Sequence, residues 1–267
     1  MLLANKVVII SGIGPGLGVE LAIGAALQGA KIAIAARTAS KLDSAEITVI
    51  ERCKENNIVD VDIIKVPTDI ADKTQCKQLV DSTIEAFGRV DCLINSAYNP
   101  GGFDLIENAD LDAWRGAMDV NLFGTMNLIL ETIPYMKQQG GGSIVNVNTM
   151  ATRKPMATQA GYAASKAALG SATSYLALEL GKYNIRVNST YMGWMWGAPV
   201  EYYFSSRSKS EGVSMESLKA EVEKNIPLGK IPTSEECAKA VFFLASDYAS
   251  AITGSCLDVN GGEYLPH

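Results

Sequence analysis

The sequence is poor in the residues on which several common kinds of site depend. It has a single histidine, His267, at its last position, so a Ser-His-Asp or Cys-His nucleophile and a histidine-rich metal site are not expected. The five cysteines are odd in number and include no Cys-x-x-Cys pair: Cys53, Cys76, Cys92, Cys237 and Cys256. We therefore predict reduced structural thiols and no metal site, rather than a disulfide framework or a zinc knuckle.

The chain also lacks an excess of positive charge and any long apolar run. Its formal net charge is −6, which gives no basic surface for nucleic acid or anionic lipid. No apolar stretch approaches the roughly 18 residues that cross a bilayer. The apolar run at residues 7–10 is too short for a signal peptide, and a glycine-rich loop follows it. We expect a cytoplasmic protein that acts on a small molecule, with no nucleic-acid and no membrane partner.

What the sequence does contain is an alternation of short β-branched runs and longer helical patterns. The runs predict seven strands, at residues 6–10, 31–36, 61–66, 90–95, 143–147, 185–189 and 256–259. The helical patterns predict helices between them, at residues 18–28, 73–87, 111–137, 159–182 and 234–245. This alternation predicts an α/β fold with a doubly wound, Rossmann-like parallel sheet of about seven strands and helices on both faces. Because no linker interrupts the pattern, residues 1–267 are expected to form a single domain.

A glycine-rich loop follows the first predicted strand and leads directly into a helix. Its sequence, SGIGPGLG at residues 11–18, allows a tight turn at Gly12, close approach of a pyrophosphate at Gly16 and tight helix packing at Gly18. Free N–H groups at the start of a helix attract phosphate. The order of strand, loop and helix therefore predicts a dinucleotide site. The loop residues expected to contact the dinucleotide are Ser11, Gly12, Gly16, Leu17 and Gly18.

The end of the second predicted strand indicates which dinucleotide is preferred. Folds that bind NAD usually have a carboxylate about 20 residues beyond the glycines. Here Ala36 occupies that place and Arg37 follows. Repulsion of a 2′-phosphate is thereby absent and a guanidinium is available to bind it. NADP(H) is favoured, with NAD(H) as the alternative.

Tyr162 and Lys166 lie one turn apart on a predicted helix. Positions 162, 166, 169, 173, 176 and 180 follow steps of four and three, which places the pair in an inward apolar stripe. Two interpretations of this pair are open. Tyr162 can be a packed core residue beside a lysine whose charged end reaches water, or the two residues can have a function. The glycine loop favours the functional interpretation.

With that loop and this pair, the chain resembles the short-chain dehydrogenase/reductase family of the Tyr-x-x-x-Lys type from end to end. Residues 68–70 resemble its adenine contact, and residues 95–97 its Asn-Asn-Ala-Gly turn, in which Tyr98 replaces the glycine. Residues 188–193 resemble its Pro-Gly turn, in which Met192 replaces the proline. The resemblance implies further cofactor contacts by Asp69, Ile70, Asn95, Ala97, Tyr162, Lys166, Gly193 and Met195.

The resemblance also implies a reaction, the exchange of a hydride between nicotinamide and a secondary alcohol or ketone carbon. Tyr162 would act as general acid in reduction, with its pKa lowered from near 10 by Lys166 and by oxidised nicotinamide, and Lys166 would bind the ribose hydroxyls. Thr149 stands where the family has its catalytic serine and would hold the substrate oxygen, although its methyl group restricts the rotamer. Asn121 resembles the active-site asparagine and would position a water that links Lys166 to solvent. The expected catalytic residues are Tyr162, Lys166, Asn121 and Thr149.

An irregular stretch, residues 194–229, is predicted after the sixth strand, at the edge of the sheet where ligands bind. Residues 194–204 are rich in aromatic side chains, and residues 216–224 predict a charged, partly amphipathic helix that would close as a lid. We predict a bulky apolar substrate. Its expected contacts are Thr149, Trp194, Trp196 and Tyr203. The alternative is that these aromatics pack against a neighbouring subunit or anchor the lid.

Two other functions stay open at this point. Residues 226–229 (IPLG) and 260–262 (NGG) also resemble 3-oxoacyl thioester reductases, although the acidity of the chain does not favour an acidic carrier protein. A non-catalytic NADP-binding sensor would tolerate Thr149 and Met192, but it would need neither Tyr162 nor Lys166. The family resemblance further implies a homotetramer, and the helix that carries Tyr162 has small residues suited to close packing: Ala163, Ala167, Gly170 and Ser174.

Overall fold

A seven-stranded sheet forms the centre of the molecule. The computed structural model describes residues 1–266, so His267 lies outside the described residues. The strands run in the order β3-β2-β1-β4-β5-β6-β7, and each neighbouring pair is parallel. Their bounds are β1 Val7–Ser11, β2 Lys31–Ala36, β3 Ile63–Pro67, β4 Cys92–Asn95, β5 Gly142–Thr149, β6 Ile185–Met192 and β7 Cys256–Val259. The predicted doubly wound parallel sheet is confirmed.

Helices cover both faces of the sheet. They are α1 Leu17–Leu27, α2 Ala39–Glu55, α3 Lys73–Phe87, α4 Leu111–Met118, α5 Thr125–Gln138, α6 Ala160–Leu180, α7 Ala198–Glu211, α8 Met215–Glu223 and α9 Ser234–Ala245. Because alternate strand residues point to opposite faces, Ile10 packs with α1, α2 and α9, whereas Ile9 packs with α3, α5 and α6. Across residues 1–266, no helix combines the length and the apolar composition that a bilayer crossing requires.

The strand order reverses between β1 and β4, and this reversal positions the site. Loops that leave neighbouring strands in opposite directions open a crevice at the carboxyl ends of the strands, where open α/β sheets bind their ligands. β1 ends at Ser11 and β4 ends at Asn95, two residues that pair in the sheet. The glycine loop therefore begins beside the turn that resembles Asn-Asn-Ala-Gly.

The stretch predicted to be irregular, residues 194–229, is largely helical, so this prediction was wrong for residues 198–211. It contains α7 and α8, and α8 confirms the helix predicted at residues 216–224. α7 has Pro199 in its first turn and is followed by Gly212, which has a φ of 68°. Phe204 is its one fully buried residue, so the sequence of α7 shows no apolar stripe.

Two further helices differ from the prediction. The single helix predicted at residues 111–137 is divided by a π-helical segment, Asp119–Gly124, into α4 and α5. α2 lies between β2 and β3, where no helix was predicted. Its buried positions, Leu42, Ala45, Val49 and Cys53, have helical spacing and are the signal that would have found it.

Candidate active site

The glycine loop has the backbone geometry that close approach to a ligand requires. Gly12 has a φ of 93°, and an added Cβ would lie 2.2 Å from the backbone nitrogen of Ala97. Gly16 has a φ of 100° and precedes α1, whose start has no side-chain cap. Uncapped N–H groups at the start of a helix are suited to phosphate, so the loop fits the pyrophosphate of a dinucleotide. Leu17 is buried in the core at this point, and an added Cβ at Gly18 would lie 2.3 Å from the carbonyl oxygen of Gly12.

A chain of buried polar side chains crosses the sheet beneath this loop. The Ser11 hydroxyl donates to Asn95 Oδ1 at 3.4 Å, and Asn95 Nδ2 donates to Asn146 Oδ1 at 2.9 Å. Asn146 Nδ2 donates to Thr173 Oγ1 at 3.0 Å, and Thr173 is 3.2 Å from the Ser189 hydroxyl. Ser11 and Asn95, predicted as cofactor contacts, are thus tied to α6 by side-chain hydrogen bonds.

Tyr162, Thr149 and Lys166 come together where β5 ends. The Tyr162 hydroxyl lies close enough to the Thr149 side chain for Thr149 to lower its pKa. Thr149 Oγ1 accepts from the backbone N–H of Ala151 at 3.2 Å. Lys166 is 2% exposed, and its Nζ donates to the carbonyl oxygen of Val147 at 2.8 Å. The Tyr-x-x-x-Lys pair therefore packs on the strand that ends in Thr149.

The protein's own groups move the pKa values of this pair in opposite directions. Burial raises the pKa of Tyr162 above its ordinary value, and the nearby Thr149 side chain acts in the opposite sense. Burial lowers the pKa of Lys166 from 10.5 to about 8. Within the protein alone the pKa of Tyr162 is therefore raised, and its lowering by Lys166 together with oxidised nicotinamide stays a prediction.

Asn121 lies in the π-helical segment, and its side chain holds a neighbouring loop in place. Its Oδ1 accepts from the backbone N–H of Asn99 at 2.7 Å, and its Nδ2 donates to the carbonyl oxygen of Asn99 at 2.8 Å. The same Nδ2 donates to Ser165 Oγ at 2.8 Å, and Ser165 in turn donates to the carbonyl oxygen of Tyr162 at 2.7 Å. Both amide hydrogens are thus in use between protein groups. Asn121 fixes the loop after β4 against the start of α6.

The residues predicted around the adenosine lie at the carboxyl ends of β2 and β3. Arg37 is exposed, and among residues 1–266 it forms no ion pair. Asp69 is half-buried and accepts from the N–H of Ala71 at 3.0 Å. Ile70 is buried between α3 and α5, where its carbonyl oxygen accepts from Asn127 at 3.2 Å. Arg37 is therefore the most exposed of these predicted adenosine contacts.

The segment after β6 passes close to the end of β7. The N–H of Gly193 donates to the carbonyl oxygen of Val259 at 3.0 Å, and an added Cβ at Gly193 would lie 2.6 Å from Asn260 Cβ. Met192 is buried, and Met195 packs against the core on the α1 side of the sheet. A glycine is thus required at 193 by the backbone of the C-terminal segment.

The aromatic residues after Gly193 pack mainly on one another. Trp194 stacks on Phe204 with ring centroids 5.8 Å apart, and the Trp196 and Phe204 centroids are 6.0 Å apart. Tyr203 contacts Trp194 at 5.8 Å and keeps 44% of its surface exposed. Phe204 is fully buried at the centre of a small core shared with α8, apart from the two cores on the sheet. Trp194 and Trp196 therefore have a scaffolding contact, whereas Tyr203 retains free surface.

Several residues of the site had not been predicted from the sequence. Pro199 and Ser234 approach Gly16, at 3.5 and 3.6 Å from an added Cβ, which places the starts of α7 and α9 beside the glycine loop. Asn148 Nδ2 donates to the carbonyl oxygen of Lys166 at 3.0 Å. The signal for Asn146 and Asn148 was available, because two asparagines alternate with valines inside a strand that is otherwise apolar. Asn99 and Ser165 had no such signal.

Comparison with known proteins gives matches along nearly the whole chain. A family model described as enoyl-(acyl carrier protein) reductase matches residues 12–263. A 3-oxoacyl-[acyl-carrier-protein] reductase of Thermotoga maritima is 30% identical over 262 residues, which are 98% of this chain and 99% of the relative. A trans-4-hydroxycyclohexanecarboxylate dehydrogenase of Sinomonas cyclohexanicum is 32% identical, over 97% of this chain and 93% of the relative. The crystal structure of L-sorbose reductase from Gluconobacter frateurii, complexed with NADPH and L-sorbose, is similar with a TM-score of 0.91 at 27% identity, over 100% of both chains.

Proposed function

Because the chain belongs to the short-chain dehydrogenase/reductase family, we propose that it is an NADPH-dependent ketone reductase for bulky, mainly apolar substrates. The observation that supports this most directly is that Tyr162 and the buried Lys166 lie against the end of β5, where Thr149 stands, at the same sheet edge as the glycine loop. Two hydroxyl groups at one point can bind a single carbonyl oxygen.

In the proposed mechanism the nicotinamide cofactor supplies the hydride for reduction. Thr149 donates a hydrogen bond to the carbonyl oxygen, and Tyr162 donates the proton that this oxygen takes up. Lys166 would hold the ribose hydroxyls of the bound cofactor, and its positive charge favours the phenolate that Tyr162 becomes. Because the protein environment raises the pKa of Tyr162, its hydroxyl is kept protonated for reduction. Asn121 keeps the loop after β4 in place and would position a water for proton return.

The preference for NADP(H) is supported by the charge at the start of α2. Ala36 places no carboxylate at the end of β2, and Arg37 is exposed. Thr38 precedes α2 without a side-chain hydrogen bond to the helix, and the first turn of α2 has no acidic residue. A 2′-phosphate would therefore meet a guanidinium, a hydroxyl and a helix N-terminus.

A second candidate is the reduction of 3-oxoacyl thioesters. Both the matched family model and the relative from Thermotoga maritima carry acyl-carrier-protein reductase names. The net charge of −6 opposes this candidate, because an acidic carrier needs a basic docking surface. A test with 3-oxoacyl thioesters in the assay below separates the two candidates.

Four less direct features complete the proposal. Residues 1–267 act as one dinucleotide-binding and catalytic domain, in which residues 194–229 form the substrate loop and lid. The protein works in the cytoplasm, in keeping with five free cysteines. Its substrate is a small molecule, and neither nucleic acid nor membrane is a partner. It assembles as a homotetramer, which is supported by exposed apolar side chains on α6 such as Tyr175 and Leu178.

The test is a kinetic screen of alcohols and ketones that follows the absorbance of reduced nicotinamide with NADPH and NADH in parallel. We expect turnover of ketones, faster with NADPH. Tyr162→Phe should lower kcat by about 10²–10⁴-fold, because it removes the general acid, and should leave NADPH affinity within a factor of about two. Tyr175→Phe, on the exposed side of the same helix, is the matched control. Turnover that survives in Tyr162→Phe, or tight cofactor binding without any turnover, would contradict the proposed function.

A further inference from the structure

Tyr98 lies beside Tyr162, at the position where the family turn has glycine. The two rings meet edge to face, with centroids 6.1 Å apart and an interplanar angle of 64°. Tyr98 keeps 55% of its surface exposed, so a large part of the side chain is open to solvent beside the Tyr162 ring. The substitution of tyrosine for glycine thus adds an aromatic surface at the catalytic tyrosine.

The backbone around Tyr98 is held in place by the site itself. Asn99 is bound through both its N–H and its carbonyl oxygen by the side chain of Asn121. Gly101 has a φ of 69°, and an added Cβ would lie 2.9 Å from the Ala117 side chain and 3.5 Å from the nitrogen of Tyr162. Tyr98 is therefore anchored on its C-terminal side, and its exposure is not that of a side chain on a loose surface loop. A fixed ring can discriminate between substrates, because recognition needs groups held in one geometry.

We propose that Tyr98 determines substrate specificity by packing its ring against a flat apolar group next to the substrate carbonyl. This inference rests on the proposed function. A carbonyl oxygen bound by Tyr162 lies about 2.7 Å from its hydroxyl, so the substituents on the carbonyl carbon lie within a few ångströms of the same point. Aromatic rings pair favourably with other flat rings at centroid distances of about 4.5–7 Å. The substrate class that follows is aryl or unsaturated cyclic ketones, in preference to short aliphatic ketones.

The test compares acetophenone with 2-butanone at saturating NADPH. We expect the wild type to prefer acetophenone, and Tyr98→Ala to lower kcat/KM for acetophenone about tenfold, which corresponds to about 1.4 kcal/mol. The same variant should change kcat/KM for 2-butanone by no more than about twofold. Tyr98→Phe keeps the ring and should retain the preference for acetophenone over 2-butanone. This variant still tests the proposal if Tyr98→Ala folds poorly. Tyr248→Ala removes another exposed tyrosine, next to the Lys6–Asp247 ion pair at the opposite end of the sheet, and should leave turnover of both ketones unaffected.

The outcomes separate this inference from the proposed function. A wild type that prefers 2-butanone, or equal losses for both ketones in Tyr98→Ala, would overturn the specificity role and leave ketone reduction intact. Loss in Tyr98→Phe as large as in Tyr98→Ala would assign recognition to the hydroxyl and overturn ring packing. No turnover by the wild type, or full turnover by Tyr162→Phe, would defeat the proposed function and this inference with it.

Discussion

Thr149 differs from the serine of the family pattern by one methyl group, and its hydroxyl has two neighbours in the protein. The hydroxyl accepts from the N–H of Ala151 and lies near the Tyr162 hydroxyl, whose pKa it lowers. Thr149→Ser keeps this hydroxyl and frees its rotamer, so we expect activity to be kept or raised. Thr149→Val keeps the shape and removes the donor, and kcat should fall about 10²-fold, as for other donors to a developing oxyanion. The measurement is kcat for both variants with one ketone; a Val variant as fast as the wild type would show that the hydroxyl takes no part.

Lys166 is a buried cation without an acidic partner among the ion pairs of residues 1–266, and this should cost stability. Lowering its pKa from 10.5 to about 8 corresponds to about 3 kcal/mol at pH 7, at 1.36 kcal/mol per pH unit. Lys166→Met removes this destabilisation. It also removes the hydrogen bond to Val147, and the loss of that bond lowers stability by about 1–2 kcal/mol. We therefore expect Lys166→Met to be inactive and more stable, with a Tm about 3–6 °C higher at pH 7 without dinucleotide.

The pH dependence of this difference gives the prediction a second readout. Below pH 8 Lys166 is charged in both the folded and the unfolded state, so the loss of stability caused by burying its ammonium group does not change with pH. Between pH 8 and 10.5 the unfolded chain binds more protons than the folded one, so the stability contributed at this site rises with pH. The unfolding free energies of the wild type and Lys166→Met, measured with denaturant, should therefore converge between pH 8 and 10. If the difference in unfolding free energy between the two proteins stays constant with pH, or if Lys166→Met is less stable than the wild type, the buried ammonium is not destabilising.

At the scale of elements, α7 and α8 form a unit with a core of its own. Phe204 lies at the centre of this core, with Leu218 from α8 and Ile226 beyond it, apart from the cores on the sheet. A small set of apolar contacts thus stabilises α7 and α8, the helices that follow Gly193 and flank the candidate active site. Such a unit can open without unfolding the sheet, as a lid requires.

We expect Phe204→Ala to loosen this unit by about 3–5 kcal/mol, the usual cost of truncating a buried phenylalanine. Hydrogen exchange should accelerate in α7 and α8 and change little in β1, β4 and β5. Tyr202→Ala, an exposed neighbour on the same helix, is the control and should exchange like the wild type. Equal acceleration in the sheet strands would mean that α7 and α8 unfold only together with the whole domain.

The π-helical segment shows where sequence patterns stop being informative at this scale. Residues 111–137 have a continuous helical pattern, and no proline or glycine pair marks a break near Asn121. The extra residue in the turn is accommodated because Asn121 is bound to Asn99 on the loop after β4 and to Ser165 on α6. π-helical turns are frequent at functional sites, but their position depends on such contacts from distant parts of the chain.

At the scale of the whole molecule, exposed apolar side chains on α6 bear on assembly. Leu178 is 79% exposed and Tyr175 is 65% exposed on the same helix, and Phe123 and Leu130 are also exposed. We expect light scattering to give the mass of a tetramer for the wild type and a lower mass for Leu178→Glu, because a buried unpaired carboxylate is costly at an interface. Ile47→Glu on the exposed side of α2 is the matched control and should keep the wild-type mass. A wild-type monomer, or an unchanged mass for Leu178→Glu, would contradict assembly through α6.

The sequence by itself determined the sheet, the glycine loop and the Tyr162–Lys166 pair. These features depend on local patterns: β-branched runs, glycines with a required backbone geometry, and helical spacing of apolar residues. β1, β2 and β7 lie within a residue of their predicted positions, and the inward stripe through Lys166 is buried as expected at Leu169, Thr173 and Leu180.

The tertiary structure alone decided what lies around that pair. The contact of Tyr98 with Tyr162 joins the loop after β4 to α6, the Asn121 hydrogen bonds join three separate segments, and Phe204 draws the aromatic residues into a core of their own. None of these contacts has a local signature, because each depends on backbone positions far apart in the chain. The pKa of Tyr162 also depends on tertiary structure. From the sequence, a lowered pKa was predicted in the presence of the cofactor, whereas burial in the folded protein raises the pKa.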